Sequence, residues 1–118
     1  MRVGTNIAER LLKLALTCME VHRTVRRDTV GRHIALQLVR SATSAGANYE
    51  EARAAESRAD FAHKASLAAK ETRESAYWLQ LLSRSGLAGR ALSTEIDEAR
   101  QLTAILGASV RTARQRVS

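Results

Sequence analysis

Three histidines and twelve carboxylates are the residues of this chain with the clearest potential for metal or acid–base chemistry. A dimetal site in a helical bundle needs paired Glu-x-x-His motifs on facing helices, together with further carboxylates. Only Asp60-Phe-Ala-His63 approaches that spacing, because neither His22 nor His33 has a carboxylate three residues before it. Half of one motif does not define a dimetal centre, so we expect no metal cofactor.

Other kinds of active site find little support in the sequence. The single cysteine, Cys18, excludes an intrachain disulfide and a thiolate metal cluster. No glycine-rich phosphate loop is present, and three scattered histidines do not indicate a Ser-His-Asp arrangement. The sequence therefore predicts a protein that is not an enzyme and that binds no cofactor.

The cellular setting is predicted from the same composition. A lone cysteine suits a reducing, cytoplasmic compartment. Arg10 and Lys13 interrupt the apolar stretch that a signal peptide would need. No segment approaches the ~20 consecutive apolar residues of a membrane span, so we expect no membrane partner.

Apolar periodicity divides the chain into four helices. The 118 residues include no proline, and only 3% are aromatic, which is typical of all-α proteins rich in good helix formers. Apolar residues recur at helical spacing over about 5–27, 30–56, 57–85 and 94–116. Helices of this length with short connections predict an up-down-up-down antiparallel four-helix bundle that occupies residues 1–118 as a single domain.

Capping residues mark the predicted helix boundaries. Asp28 and Thr29 precede the second helix, Ser57 opens a capping box for the third, and Thr94 opens another for the fourth. Gly46 lies in the middle of the second helix, where glycine costs about 1 kcal/mol relative to alanine. A glycine at such a position suggests a close approach of two backbones or a local kink.

The charge of the chain favours an anionic partner. The net charge is +7 and the isoelectric point is near 10.7. Nucleic acid is the first candidate for such a partner, and an acidic protein is the second. A GC-rich genome, which encodes many arginines, would also account for the excess of positive charge. The basic residues that we predict to contact phosphates lie on helices one and three, with helix one ranked first because residues 1–27 carry six basic and two acidic residues: Arg10, Lys13, Arg23, Arg27, Lys64, Lys70, Arg73 and Arg84.

Polar side chains on helices two and three have two interpretations. In one, they form a solvated surface with weak support from the i, i+4 pair of Lys70 and Glu74. In the other, they form a structural network between the two helices, since a buried carboxylate is costly unless it is paired and hydrogen-bonded. The members of the predicted network are Arg40, Asn48, Glu51, Ser66 and Glu74.

The apolar residues of helix three exceed a single stripe. A monomeric bundle buries one stripe per helix and leaves the other surfaces polar. The additional residues either widen the core or form an interface between copies of the chain, and we predict the interface. They are Leu67, Tyr77, Trp78 and Leu81.

Two segments of the chain resemble a known family. RSATSAGANYEEARAAESRADFAHKASLAAKETRESAYWLQLL, followed by EARQLTAILGASVRTAR, is similar to the bacterial four-helix bundle proteins also called 23S ribosomal RNA intervening-sequence proteins. The likeness covers about residues 30–114. Its most specific elements include Asn48, Glu51 and Glu74, and Gly46 stands where the family often has proline.

The resemblance implies more than the composition does. The family is related to accessory proteins of diversity-generating retroelements, which implies a homopentameric barrel with head-to-tail contacts. It also implies a basic surface that binds RNA or DNA, with a reverse transcriptase as a possible protein partner. The resemblance brings no catalytic residues, and it favours the interpretation of Asn48, Glu51 and Glu74 as a structural network.

Overall fold

The predicted four-helix bundle is confirmed. The computed structural model describes residues 4–115, which form α1 (Thr5–Val25), α2 (Thr29–Arg53), α3 (Arg58–Arg84) and α4 (Ser93–Gln115). Helix α3 packs extensively against both α2 and α4, whereas α1 packs mainly against α2 and touches α4 over a smaller area. Helices α1 and α3 therefore lie diagonally across the bundle. None of the described helices is long and apolar enough to cross a membrane.

Side-chain caps fix the starts of α2 and α3. Asp28 Oδ1 accepts a hydrogen bond from the backbone N–H of Gly31 at 2.7 Å, and Ser57 Oγ accepts one from Asp60 at 3.0 Å. These hydrogen bonds satisfy N–H groups that have no partner inside the helix. The predicted cap at Thr94 is wrong, because α4 begins at Ser93 and Thr94 lies inside its first turn.

Small side chains make up much of the contact between α2 and α3. Ser41 and Ser75, both fully buried, join their hydroxyl oxygens across this contact at 2.8 Å. Residues of this size let the two helix backbones come close together, and the segment that contains them is packed rather than flexible. Seven alanines on the two helices are at most 2% exposed: Ala35, Ala42, Ala45, Ala52, Ala62, Ala65 and Ala68.

Cys18 belongs to the core of the bundle, as its position on the apolar stripe of α1 predicts. Its side chain is fully buried, and this burial raises the pKa of the thiol to about 12. The thiol therefore stays protonated at neutral pH and serves as a small apolar group.

Gly46 has more space than its position in the sequence suggests. Helix α2 runs without a break through this residue, and a Cβ atom placed there would meet only Leu11 Cβ, at 3.9 Å. That distance is an ordinary van der Waals contact, so the expected close backbone approach is not found. Gly31 differs, because a Cβ atom there would lie 3.0 Å from the carbonyl oxygen of Val25.

We predict that Gly46→Ala raises the free energy of unfolding by up to about 1 kcal/mol, because alanine reduces the conformational freedom of the unfolded chain and fits the helix. Gly31→Ala is the matched control, since the same change in α2 crowds Val25 and should bring no gain. Urea denaturation followed by circular dichroism measures both. A Gly46→Ala variant that loses as much stability as Gly31→Ala would contradict the prediction.

Candidate nucleic-acid interface

Arg10, one of the predicted phosphate-binding residues, is engaged inside the bundle. Its Nε and Nη2 atoms donate to the two carboxylate oxygens of Glu98 on α4, at 2.8 and 2.7 Å, and Nη2 also donates to Gln101. The hydrogen bonds from Arg10 hold the pKa of Glu98 below its usual range. This bidentate pair joins α1 to α4, the two neighbouring helices that pack least extensively against each other. Arg10 therefore has a structural partner.

Two further predicted residues also have carboxylate partners. Arg23 pairs with Glu20 one turn earlier in α1, and Lys64 Nζ lies 2.8 Å from Glu51 Oε1 across the α2–α3 contact. Both pairs are exposed to solvent, where ion pairs are weak. They nevertheless cancel the local charge that a phosphate would need.

The other five predicted residues are exposed and form no ion pair with any described residue. Lys13 lies on α1, Arg27 lies in the connection that follows it, and the other three lie on α3, which is diagonal to α1. The three on α3 are Lys70, Arg73 and Arg84.

Helix α4 adds three arginines that sequence reasoning did not select. Thr103 of α4 shares a 2.7 Å hydrogen bond with Thr72 of α3, so this side of α4 faces α3. Arg100 lies three residues before Thr103 and lines a groove with Arg73. Arg111 and Arg114 follow Arg100 by 11 and 14 residues, which places them on the same side of the helix. All three arginines are exposed and have no ion pair among residues 4–115.

These residues define one surface, which we name the basic α3–α4 face. It consists of Lys70, Arg73, Arg84, Arg100, Arg111 and Arg114. Its positive charge persists because nearby carboxylates point elsewhere: Glu71 and Glu74 of α3 bind side chains of α2, and Glu98 of α4 binds α1. Asp97, one turn before Arg100, lines the groove between α1 and α4 together with Lys13.

Glu74 is the most constrained carboxylate of the α2–α3 surface. It accepts a hydrogen bond from the indole N–H of Trp78 at 2.9 Å and another from Arg40, which also lies 3.4 Å from Glu71. The Trp78 hydrogen bond, and after it the Arg40 guanidinium, lower the pKa of Glu74. Arg40 and Glu74, both predicted members of the polar network, are therefore in direct contact.

Asn48 joins this network through two intermediate residues. Its side-chain amide donates to the backbone carbonyl and the hydroxyl oxygen of Ser44, at 3.0 and 3.2 Å. The Ser44 hydroxyl donates to Glu71 Oε2 at 2.9 Å. Glu71 was absent from the predicted network, although its spacing of three residues from Glu74 places both carboxylates on adjacent turns of α3.

Glu51 and Ser66 do not take part in the network, which corrects the sequence prediction. Glu51 pairs with Lys64 nearer the start of α3, and its side chain is 60% exposed. The Ser66 hydroxyl donates to the carbonyl of His63 in its own helix, at 2.7 Å. Periodicity placed all these residues near the α2–α3 contact. It did not show which residues of α2 lie opposite which residues of α3 along the helix axes.

The predicted interface residues of α3 are unevenly exposed. Tyr77 is 58% exposed and Leu81 is 36% exposed, whereas Leu67 and Trp78 are half-buried. Trp78 packs against the core and meets Tyr77 edge to face, with ring centroids 5.1 Å apart. Trp78 therefore contributes to the packing of its own chain.

A larger exposed apolar surface, which sequence reasoning missed, lies on α1 and α2. Leu12, Leu16 and Met19 recur at i, i+4 and i+7 on α1, and Leu36 is exposed on α2. Ala8, Ala15, Gly46 and Ala47 line the groove between these helices. We name Leu12, Leu16, Met19 and Leu36 the α1–α2 apolar face. The i, i+4, i+7 spacing was the available signal, adjacent to the stripe that forms the core.

The described residues contain no group of three or more His, Cys, Asp or Glu side chains that is positioned to hold a metal ion. The fold and its surface thus define a basic four-helix bundle protein. A family model for 23S rRNA-intervening sequence proteins matches residues 3–108, and the chain belongs to this family. The resemblance seen in the sequence is thereby confirmed.

A solved structure supports the same assignment. It is that of a protein with unknown function from the S23 ribosomal protein family of Bacteroides thetaiotaomicron. The two chains share 28% sequence identity and a TM-score of 0.76, over 88% of this chain and 97% of the other. A search of curated protein sequences found no match.

We predict that Glu74→Ala lowers the free energy of unfolding at pH 7 by about 1 kcal/mol, a modest value because the network is partly exposed. The native state lowers the pKa of Glu74, so its contribution is present above the ordinary value of 4.5 and is lost as the pH falls through the native pKa. The difference between wild type and Glu74→Ala should therefore shrink in acid. Chemical denaturation at several pH values measures it.

Glu51→Ala is the matched control for this experiment, because it removes a carboxylate from the same helix contact but from an exposed pair. Its effect at pH 7 should be clearly smaller. Equal losses for the two variants would show that the hydrogen bonds of Glu74 to Arg40 and Trp78 add nothing to stability.

Proposed function

We propose that this protein binds nucleic acid through the basic α3–α4 face, by contacts to phosphates rather than to base edges. The observation that carries the proposal is the grouping of six cations on one side of the bundle, none of them in an ion pair with a described residue. The family description names an intervening sequence of 23S rRNA, which is consistent with a nucleic-acid ligand.

A cation that is not already in an ion pair binds phosphate more readily than one that is paired with a carboxylate. An unpaired arginine gains a phosphate partner and releases counterions, which drives association. Arg10 would first have to lose its bidentate hydrogen bonds to Glu98, and that loss offsets the gain. Lys13, Arg23 and Arg27 belong to α1 and to the connection that follows it, away from α3, so they do not add to the basic α3–α4 face.

We predict that Arg73→Ala with Arg100→Ala weakens binding of a labelled RNA and reduces its salt dependence. Each lost phosphate contact should lower the slope of log K against log salt by about 0.7 to 0.9, so the pair should lower it by about 1.5. Fluorescence anisotropy over a salt titration measures both quantities. Lys13→Ala with Arg27→Ala, on α1 and the connection that follows it, is the control with the same change in net charge; this α1 variant should have less effect.

Two results would contradict this assignment. A greater loss from the α1 variant would support the sequence-based ranking, in which helix one binds the phosphates. If polyglutamate binds the wild type as tightly as RNA of equal charge does, an acidic protein becomes the better partner, because the surface then recognises charge without regard to nucleic acid.

We also propose that the chain self-associates through the α1–α2 apolar face. Leu12, Leu16, Met19 and Leu36 are each more than one-third exposed on neighbouring helices, which is unusual for a surface without a partner.

The charges at the ends of this face indicate that a second copy is its occupant. Glu9 lines one end of the α1–α2 groove, whereas Arg32 lies at the start of α2, and neither forms an ion pair with a described residue. A second copy that runs antiparallel brings the acidic end of each chain to the basic end of the other. A parallel two-fold pair would place like charges together. Glu50 pairs with Arg53 and Arg23 pairs with Glu20, so these residues add little to the difference in charge between the two ends.

We predict that Leu16→Glu reduces the assembly to single chains while the helical circular-dichroism signal is kept, because a buried unpaired carboxylate opposes the contact. Multi-angle light scattering gives the mass. Leu81→Glu is the matched control on α3 and should leave the mass unchanged. Dissociation by Leu81→Glu alone would place the interface on α3, as sequence reasoning expected. A wild-type mass of two chains would support an antiparallel pair. The pentamer implied by the resemblance stays a prediction, and a mass of five chains would support it.

A further inference from the structure

A groove between α3 and α4 opens in the middle of the basic α3–α4 face. It is lined by Arg73, Ala76, Tyr77, Gln80, Arg100 and Thr103 and has a volume of about 350 Å³. Small-ligand sites in proteins have volumes of roughly 300–1,000 Å³, so the groove is large enough for a single nucleotide.

Tyr77 is the aromatic side chain of this groove, and it is free to contact a ligand. Its side chain is 58% exposed, and its hydroxyl makes no hydrogen bond to a described residue. Trp78, in contrast, donates its indole N–H to Glu74 and packs against the core. The edge-to-face contact with Trp78 supports the Tyr77 ring from one side, with an angle of 70° between the planes.

The polar side chains of the groove suit the other parts of a nucleotide. Arg73 and Arg100, one from each helix, are exposed cations without an ion pair among residues 4–115, and arginine binds phosphate with several donors. Gln80 offers an amide that can donate to or accept from a base edge. The hydroxyl of Thr103 already bonds Thr72 and the carbonyl of Ala99, so it mainly holds the two helices together.

We propose that this groove binds single-stranded nucleic acid, with one base stacked on Tyr77 and the flanking phosphates held by Arg73 and Arg100. The inference rests on the proposed nucleic-acid function and names its substrate class. An aromatic ring beside cations binds single strands because their bases can leave the stack, whereas the bases of a duplex are stacked on one another. Sequence reasoning predicted Tyr77 at an oligomer interface, and one copy of the residue cannot serve both roles at once.

The test compares Tyr77→Leu, which keeps an apolar side chain, with Tyr77→Phe, which keeps the aromatic ring. The probes are a fluorescein-labelled 20-nucleotide oligouridine RNA and a duplex RNA of the same length. Tyr77→Leu should weaken oligouridine binding by about five-fold or more, the effect of losing one stacked base, and should change duplex binding little. Tyr77→Phe should bind oligouridine like the wild type.

The fluorescence of Trp78 gives a second measurement, since it is the single tryptophan of the chain and lies next to Tyr77. Oligouridine should change this fluorescence in the wild type and in Tyr77→Phe, and should change it much less in Tyr77→Leu at equal saturation. Light scattering of Tyr77→Leu should show the wild-type mass, because the residue is assigned to the ligand and not to an interface.

Several outcomes would overturn the inference. It fails if Tyr77→Leu binds oligouridine as tightly as the wild type, if it loses duplex binding to the same extent, or if it changes the mass of the assembly. In each case the nucleic-acid function still stands when the Arg73 and Arg100 double variant weakens RNA binding. If the wild type binds neither RNA at low salt, both proposals fail together.

Discussion

The surface of this bundle depends on the direction in which its carboxylates point. Glu71 and Glu74 turn from α3 toward α2, where Ser44 and Arg40 hold them, and Glu74 also accepts from Trp78 of its own helix. Glu98 turns from α4 toward Arg10. These contacts stabilise the seams between helices, and they also remove negative charge from the opposite sides of α3 and α4. A chain with twelve acidic residues can therefore keep a side on which six cations have no ion pair with any described residue.

The seam that orients these carboxylates is itself a result of small side chains. Alanines and the Ser41–Ser75 hydrogen bond let α2 and α3 lie close together along their length. Close helices bring Arg40 and Ser44 within reach of Glu71 and Glu74, which larger core residues would prevent. The composition of the segment thus determines both the packing of the core and the charge of the surface, although its individual ion pairs are weak.

The fold could be predicted from the sequence, because helical periodicity and caps such as Asp28 and Ser57 depend on neighbouring residues alone. The membership of the polar network could be predicted only in part. Arg40, Asn48 and Glu74 were found, but the exclusion of Glu51 depends on the alignment of α2 against α3, which a one-dimensional pattern does not contain. The family resemblance indicated which residues are structural, but it did not indicate which residues of α2 and α3 lie opposite each other.

The α4 arginines of the basic α3–α4 face were missed for a different physical reason. Segments 91–118 carry four arginines and three carboxylates, so their sum is only +1. The carboxylates cluster in the first two turns of α4, whereas Arg111 and Arg114 lie near its end, an order that the helix dipole favours. The net charge of a segment does not show that its positive and negative residues lie at opposite ends. The arginines of α4 and α3 form one surface only because the two helices pack side by side.

The connections between helices have a consequence for the kinetics of folding. The segments 26–28, 54–57 and 85–92 are three, four and eight residues long, so each helix packs against its neighbour in sequence across a very short loop. Closing such loops costs little entropy, and folds dominated by local contacts form in microseconds to milliseconds. The chain also contains no proline, so the unfolded state has no slow prolyl isomers to wait for. We therefore expect the bundle to refold rapidly after a transient unfolding event, in a single phase without a prolyl-isomerisation step.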